Sequence, residues 1–314
     1  MLPDRRFLST EDWSNLYKER AGRTMTQKVA FIGTGVMGKS MAGHLMDKGY
    51  ELTVYTRTKE KAAELLDRGA EWAATVKEAV ADADYVITMV GYPSDVESIY
   101  LGEDGIIKSA RKGAFLIDMT TSKPSLAKEI AEEALKNGMH AVDAPVSGGD
   151  VGAREARLAI MIGGEKEAYT KCLPLFEAMG NNIVHQGPAG SGQHTKMSNQ
   201  IAISSGMIAA CEALAYAEKT GLDPEDVLKS ITTGAAGSWT LQNLAPRMLQ
   251  GNFEPGFYVK HFIKDMRIAK EESEQFGLNT PGLDLALSLF GQLEEMGEEN
   301  SGTHALYKLW KQQQ

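Results

Sequence analysis

Apolar and polar positions change their pattern near residue 190, and that change divides the chain into two kinds of structure. From Lys28 onward, short β-branched apolar runs recur at 29–32, 52–55, 85–90, 114–118, 140–144, 158–162 and 183–185. Helical stretches lie between them, for example 39–47, 60–68 and 124–137. Apolar runs alternating with helices are the signature of a parallel sheet with crossover helices, so a doubly wound sheet is expected. Ser122 is a candidate cap for the stretch that begins at Pro124, a residue suited to a first turn. The turn cluster Gly-Pro-Ala-Gly-Ser-Gly at 187–192 closes this region. Beyond it Ala, Leu, Met, Glu and Lys dominate, the composition of helices. The run 196–220 is apolar nearly all round, as in a helix buried between neighbours. We therefore expect a sheet domain over 25–189 and an all-helical domain over 190–314, with 1–24 a poorly ordered N-terminal arm. That arm has no apolar core segment and carries Asp4, Glu11, Asp12 and Glu19, which speaks against a signal or transit peptide.

Composition narrows the class. The 314 residues include 33 Lys plus Arg against 42 Asp plus Glu, a net charge of −9, with 43% hydrophobic residues, as in a soluble two-domain protein. The acidic balance argues against nucleic acid or a membrane surface as partner. The longest uncharged apolar stretch, 197–211, is 15 residues, short of the ~20 that a bilayer span needs. Two cysteines, Cys172 and Cys211, cannot build a disulfide framework. With no Cys/His spacing of metal-ligand type, no metal is expected and the cytoplasm is the natural compartment.

Chemistry enters at Gly33-Thr-Gly35-Val36-Met37-Gly38, a G-x-G-x-x-G between a strand run and a helix. One glycine makes the tight turn, one admits a pyrophosphate close to the backbone, and one lets helix and strand pack closely. The helix N-terminus then offers free amides and a positive dipole end to the phosphates. The second strand run ends in Thr56-Arg57-Thr58, where an NAD-preferring site would place an acid on the ribose 2′-hydroxyl. Hydroxyls and a cation stand there instead, with Lys61 one helical turn on, and these suit a 2′-phosphate. NADP(H) is the expected cofactor, with NAD(H) possible. Val90, Gly91 and Tyr92 end a further strand run and are expected to border the cofactor.

Three more clusters follow in order: Asp143-Ala-Pro-Val-Ser147-Gly148-Gly149, then Gly190-Ser-Gly-Gln-His-Thr-Lys196-Met-Ser-Asn199-Gln200, then Lys264-Asp265. With the glycine fingerprint, these resemble the β-hydroxyacid dehydrogenase family over about 27–310. The resemblance implies a Rossmann-type doubly wound sheet followed by an all-α C-terminal domain. It also implies hydride transfer between a nicotinamide and a small carbonyl acid or its 3-hydroxy acid, in a homodimer or homotetramer. By the motif G-x-G-x-x-x-K, the lysine that handles the proton is Lys196. A positioned ammonium stabilises the negative charge that develops on a carbonyl oxygen and donates a proton, provided that burial or a neighbouring charge lowers its pKa.

By the same resemblance Ser147, Gly148 and Gly149 hold the substrate carboxylate, through a concave run of backbone amides. Thr121, at the end of another strand run, lies near nicotinamide and substrate. Lys264 reaches back from the helical domain to the cofactor, and Asp265 is placed to orient it or to cap local structure. The family has an Asn four residues after the lysine, where this chain has Gln200, with Asn199 just before it. Either amide could hold the substrate or the lysine. Lys260 and His261 stand where the family is more often apolar, and His261 shares a helix face with Lys264. As cations they would favour an acid with a second negative group. Relatives of 6-phosphogluconate dehydrogenase share the motifs but have a longer substrate domain, and imine reductases generally lack the lysine. A non-catalytic NADP-binding protein is the alternative from another class.

Overall fold

The computed structural model describes residues 27–312, so the arm expected over 1–24 lies outside the described residues. Strands β1 (Lys28–Ile32), β2 (Glu51–Tyr55), β3 (Glu71–Trp72), β4 (Tyr85–Thr88), β5 (Phe115–Asp118), β6 (His140–Asp143), β7 (Val146–Ser147), β8 (Leu158–Gly164) and β9 (Gly180–Gly187) form one sheet. Its order is β3-β2-β1-β4-β5-β6-β8-β7, with β9 on β8. From β3 to β6 every pair is parallel, and the order reverses between β1 and β4, where open α/β sheets bind ligands at their carboxyl ends.

Period-two alternation sends Val29 and Phe31 into one core and Ala30 and Ile32 into another. On the first face lie α1 (Val36–Asp47) and α4 (Lys166–Met179), contributing Met41, Leu45, Leu175 and Phe176. On the other lie α2 (Pro93–Leu101) and α3 (Pro124–Lys136), contributing Tyr100 and Ile130. Both faces are covered, which is why the strand runs read as apolar.

The C-terminal region is helical: α5 (Ser191–Lys219), α6 (Pro224–Ile231), α7 (Val259–Gln275) and α8 (Pro281–Glu295) close on a third core that includes Met207, Leu214, Phe262, Met266 and Phe290. Helix α5 belongs to both halves. Its N-terminal turns pack on β8 and α3, and its length packs against α7 and α8. By length and composition α5 is the one described helix that could span a membrane, against the expectation from its 15-residue uncharged stretch. Its packing on β8, α7 and α8 accounts for the composition instead.

Several local expectations need correction. The sheet is mixed, because β8 runs antiparallel to β6 and β7; an antiparallel return needs no crossover helix. Helix α1 begins at Val36 rather than 39, since Gly35 already occupies the cap. The 60–68 helix opens as a 3₁₀ turn, Lys59–Ala62. Ser122 does not cap α3: Lys123 holds that position, the Ser122 hydroxyl is buried without a hydrogen-bond partner, and its backbone amide donates to the Gln193 side chain.

Candidate active site

At the β1–α1 turn each glycine answers a separate steric demand. Gly33 has φ +101, and a Cβ there would run into the Met89 carbonyl. A Cβ at Gly38 would meet the Gly33 carbonyl and the Phe31 ring, so only glycine lets α1 lie this close to β1. Gly35 faces open space. No side chain caps α1 and no acid occupies its first turn, so the Val36 and Met37 amides await a partner. Thr34 Oγ1 is buried with no hydrogen-bond partner. Uncapped amides, open space and an orphaned hydroxyl fit a pyrophosphate at a helix N-terminus.

Beyond β2, Thr56 is half-buried, while Arg57, Thr58 and Lys61 are exposed. The Arg57 guanidinium is 82% exposed and 3.6 Å from the Asp95 carboxylate, a pair too loose and wet to fix its position. At the end of β4 the Val90 amide donates to Thr120 Oγ1. Tyr92 forms the first turn of α2 with Asp95 and stays 40% exposed.

Lys196 lies on α5 and is only 6% exposed. Its Nζ donates to the Val146 carbonyl at 2.8 Å, which places the ammonium beside the turn Ser147-Gly148-Gly149. Burial lowers its pKa to about 8; the Asp265 charge opposes that shift and the Lys264 charge adds to it. Gly148 and Gly149 have φ of +131 and +62, the left-handed region that favours glycine. The turn abuts the helical domain, for the position of a Gly149 Cβ is 3.3 Å from the Gly256 carbonyl.

From the helical domain, Lys264 donates to the carbonyls of Gly91 at 3.2 Å and Thr121 at 2.9 Å, and its Nζ is 2.9 Å from Asp265 Oδ1. It therefore ties α7 to the loops after β4 and β5. Gln200 donates to Asp265 Oδ2 at 2.6 Å and accepts from Asn199 Nδ2 at 2.8 Å. The two amides thus differ: Gln200 is buried and holds Asp265, while Asn199 is half-buried.

The two extra cationic candidates, Lys260 and His261, differ in their surroundings. Lys260 Nζ donates to Asn300 Oδ1 at 2.7 Å. His261 is packed against Tyr92 and Tyr258, with ring centroids 5.6 and 5.8 Å away. Burial lowers its pKa, and the charges of Lys264 and Lys260 lower it further against the opposing charge of Asp265, which favours the neutral imidazole overall.

Two residues in the predicted motifs carry contacts that sequence reasoning did not assign. Asp143 accepts the amides of Gly190 at 2.7 Å and Gln193 at 2.8 Å. Gln193, fully buried, donates to the Thr120 carbonyl at 2.7 Å and accepts the Ser122 amide at 3.0 Å. Among the described residues no cluster of His, Cys, Asp and Glu could hold a metal ion.

The arrangement matches known proteins over nearly its whole length. Residues 28–187 match the NAD binding domain of 6-phosphogluconate dehydrogenase, and residues 190–310 match the NAD-binding domain of NADP-dependent 3-hydroxyisobutyrate dehydrogenase. The chain belongs to the β-hydroxyacid dehydrogenase family. It is 66% identical over 286 residues to the uncharacterized oxidoreductase YkwC of Bacillus subtilis, covering 91% of this chain and 99% of that one. To the probable 3-hydroxyisobutyrate dehydrogenase-like 1 of Arabidopsis thaliana it is 46% identical, over 89% of this chain and 84% of that one. The Mycobacterium tuberculosis 3-hydroxyisobutyrate dehydrogenase structure with L-serine superposes with TM-score 0.84 at 29% identity, covering 91% of this chain and 99% of that one. A member of this β-hydroxyacid dehydrogenase family, the chain is an NAD(P)-dependent oxidoreductase of the CH–OH group.

Proposed function

We propose that this enzyme uses NADP(H) to interconvert a small 3-hydroxy acid and its semialdehyde, with Lys196 as general acid and base. The observation that carries the reading is the buried Lys196 ammonium, poised near pH 8 beside the Ser147-Gly148-Gly149 turn. When bound, the nicotinamide supplies or takes the hydride. Negative charge then grows on the carbonyl oxygen, and Lys196 stabilises it and gives up its proton. In the reverse direction the neutral amine takes the hydroxyl proton. The amides of the 147–149 turn hold the carboxylate and Asn199 adds a polar contact. Thr121 flanks the nicotinamide, and Lys264 borders it from the helical side.

The glycine turn with Val36 and Met37 takes the pyrophosphate. Thr56, Arg57, Thr58 and Lys61 take the 2′-phosphate, and Val90, Gly91 and Tyr92 line the remaining edge. Because burial favours the neutral form of His261, Lys260 is the extra cation left to bear on a second negative group of the substrate, and it is bonded to the neutral Asn300 side chain. The enzyme assembles as a homodimer or homotetramer, with the exposed face of α5 formed by Ser198, Ala202, Ser205, Ala209, Glu212 and Tyr216 available for the contact; light scattering on the purified protein checks the assembly.

The test follows nicotinamide absorbance with NADPH and NADH against glyoxylate, tartronate semialdehyde, succinic semialdehyde and methylmalonate semialdehyde. Lysine-dependent oxidation of NADPH with at least one of them is expected. Unchanged turnover in Lys196→Ala would restore the reading of a protein that binds the cofactor without using this lysine.

A further inference from the structure

We propose that Asp143 and Gln193 form an interlock that fixes the first turn of α5 and so positions Lys196 against both the carboxylate turn and the Thr121 loop. The inference rests on Lys196 as proton donor. Both are positioning residues, since their contacts are to backbone that carries the reacting groups.

Helix α5 lacks a cap of its own. Its N-cap is Gly190, which has no side chain and sits at φ +88. The missing acceptor comes from another element: Asp143, at the end of β6, takes the Gly190 and Gln193 amides. A carboxylate at the positive end of a 29-residue helix is favourable in charge as well as in hydrogen bonding. The fit leaves no slack. A Cβ at Gly192 would meet the Met161 carbonyl and the Asp143 side chain, and a Cβ at Gly163 would meet Asp143 and the Ser191 and Gly192 amides.

From the same turn Gln193 grips the loop that follows β5, the strand on the other side of β6. Its amide group takes both the Thr120 carbonyl and the Ser122 amide, bracketing Thr121. The Thr121 carbonyl in turn accepts Lys264. Meanwhile the Val146 carbonyl, three residues after Asp143, holds the Lys196 ammonium. One short segment, 143–149, thus anchors the helix, receives the lysine and forms the carboxylate turn. Rotation of α5 by a fraction of a turn would move the proton donor relative to both other parts, and a misplacement of about 1 Å can cost about 100-fold in rate.

The experiment compares Asp143→Asn and Gln193→Met with wild type and with Ser204→Ala. Ser204 is buried on the same helix, and its hydroxyl bonds only within it, to the Ile201 carbonyl. The first readout is trace acetylation of the full chain by acetic anhydride from about pH 6 to about pH 11, read at the Lys196 peptide by mass spectrometry. It needs no substrate. Wild-type Lys196 is expected to titrate at about 8. Both interlock variants should shift it upward by about one unit, as water enters the junction and relieves desolvation. The second readout is turnover: kcat falls about 10- to 100-fold while KM for NADPH stays within about twofold.

An unchanged Lys196 titration in both variants would overturn the interlock. So would an equal upward shift in Ser204→Ala, because general loosening of α5 would then explain it. If wild type turns over no carbonyl acid, the proposed reaction fails, yet the titration still decides the interlock. If Asp143→Asn does not fold, Gln193→Met carries the comparison alone.

Discussion

The two ends of the candidate site handle charge in opposite ways. At the end proposed to take the cofactor ribose, Arg57, Thr58 and Lys61 stand in solvent, and the Arg57–Asp95 ion pair is loose. At the domain junction Lys196, Asp143, Gln200 and Asp265 are buried, each with defined partners. Exposed charges are screened and contribute little to stability. Their arrangement can change without disturbing the fold, which leaves them free to select a cofactor. Buried charges shift their own pKa values, which is what a proton-transfer group needs, but only if the surrounding backbone holds them still. On the proposed function, cofactor choice and chemistry are therefore separable.

Predictions can be ranked by how hard they strain that contrast. Lys196→Ala should lower kcat by about 10² to 10⁴, the usual worth of a positioned acid–base group, while the NADPH dissociation constant stays nearly unchanged. Steady-state kinetics with cofactor titration by fluorescence checks both. Next comes Gly192→Ala, where the added methyl has no space against the Met161 carbonyl. A loss of about 3 kcal/mol in denaturant unfolding is expected, and a loss under about 0.5 would show that the junction yields.

Asp118 offers a pH test at the buried end. Burial pushes its carboxyl up from 3.8 to about 6, against stabilising hydrogen bonds from Thr88 and Thr120. The unfolded chain ionises it first, so its penalty on the fold is absent below about pH 3.8, grows as pH rises, and is complete above about 6. Asp118→Asn keeps an oxygen for Thr88 and Thr120 and should raise stability at pH 8 by about 2 kcal/mol, with the gain vanishing near pH 4. Melting temperatures across pH measure it, and a destabilised variant at pH 8 would refute it. The smallest effect belongs to the exposed end. Arg57→Ala with Lys61→Ala should raise KM for NADPH about tenfold, leave kcat alone, and leave NADH unaffected. Equal losses with both cofactors would mean that these cations do not read the 2′-phosphate.

What the sequence disclosed divides along a physical line. The seven strand runs and the glycine turn were legible because each depends on local pattern: apolar alternation, or a backbone with no space for a Cβ. Burial of Lys196 was legible from the apolar helix around it. Strands β3 and β7 were not, since two residues each are too short to show a period. Nor was the interlock: the partners of Asp143 and Gln193 are 47 to 73 residues away, and no local pattern announces them. Ser122 misled because the helix takes Lys123, one position later, as its N-cap, and the Ser122 hydroxyl is buried without a hydrogen-bond partner. The charge of His261 depended on burial and on which neighbours surround it; Lys260 and Lys264 are close to it in sequence, but Tyr92 arrives from a distant part of the chain.

The central claim is that a buried Lys196 donates the proton. The most direct test is the pH dependence of kcat for carbonyl reduction, in wild type and Lys196→Arg. The account predicts a wild-type rate that is flat below about pH 8 and falls tenfold per unit above it, as the ammonium loses its proton. Lys196→Arg, which cannot give up its proton in this range, should be nearly inactive throughout. A wild-type profile that stays flat to about pH 10, or an arginine variant with wild-type turnover, would contradict it.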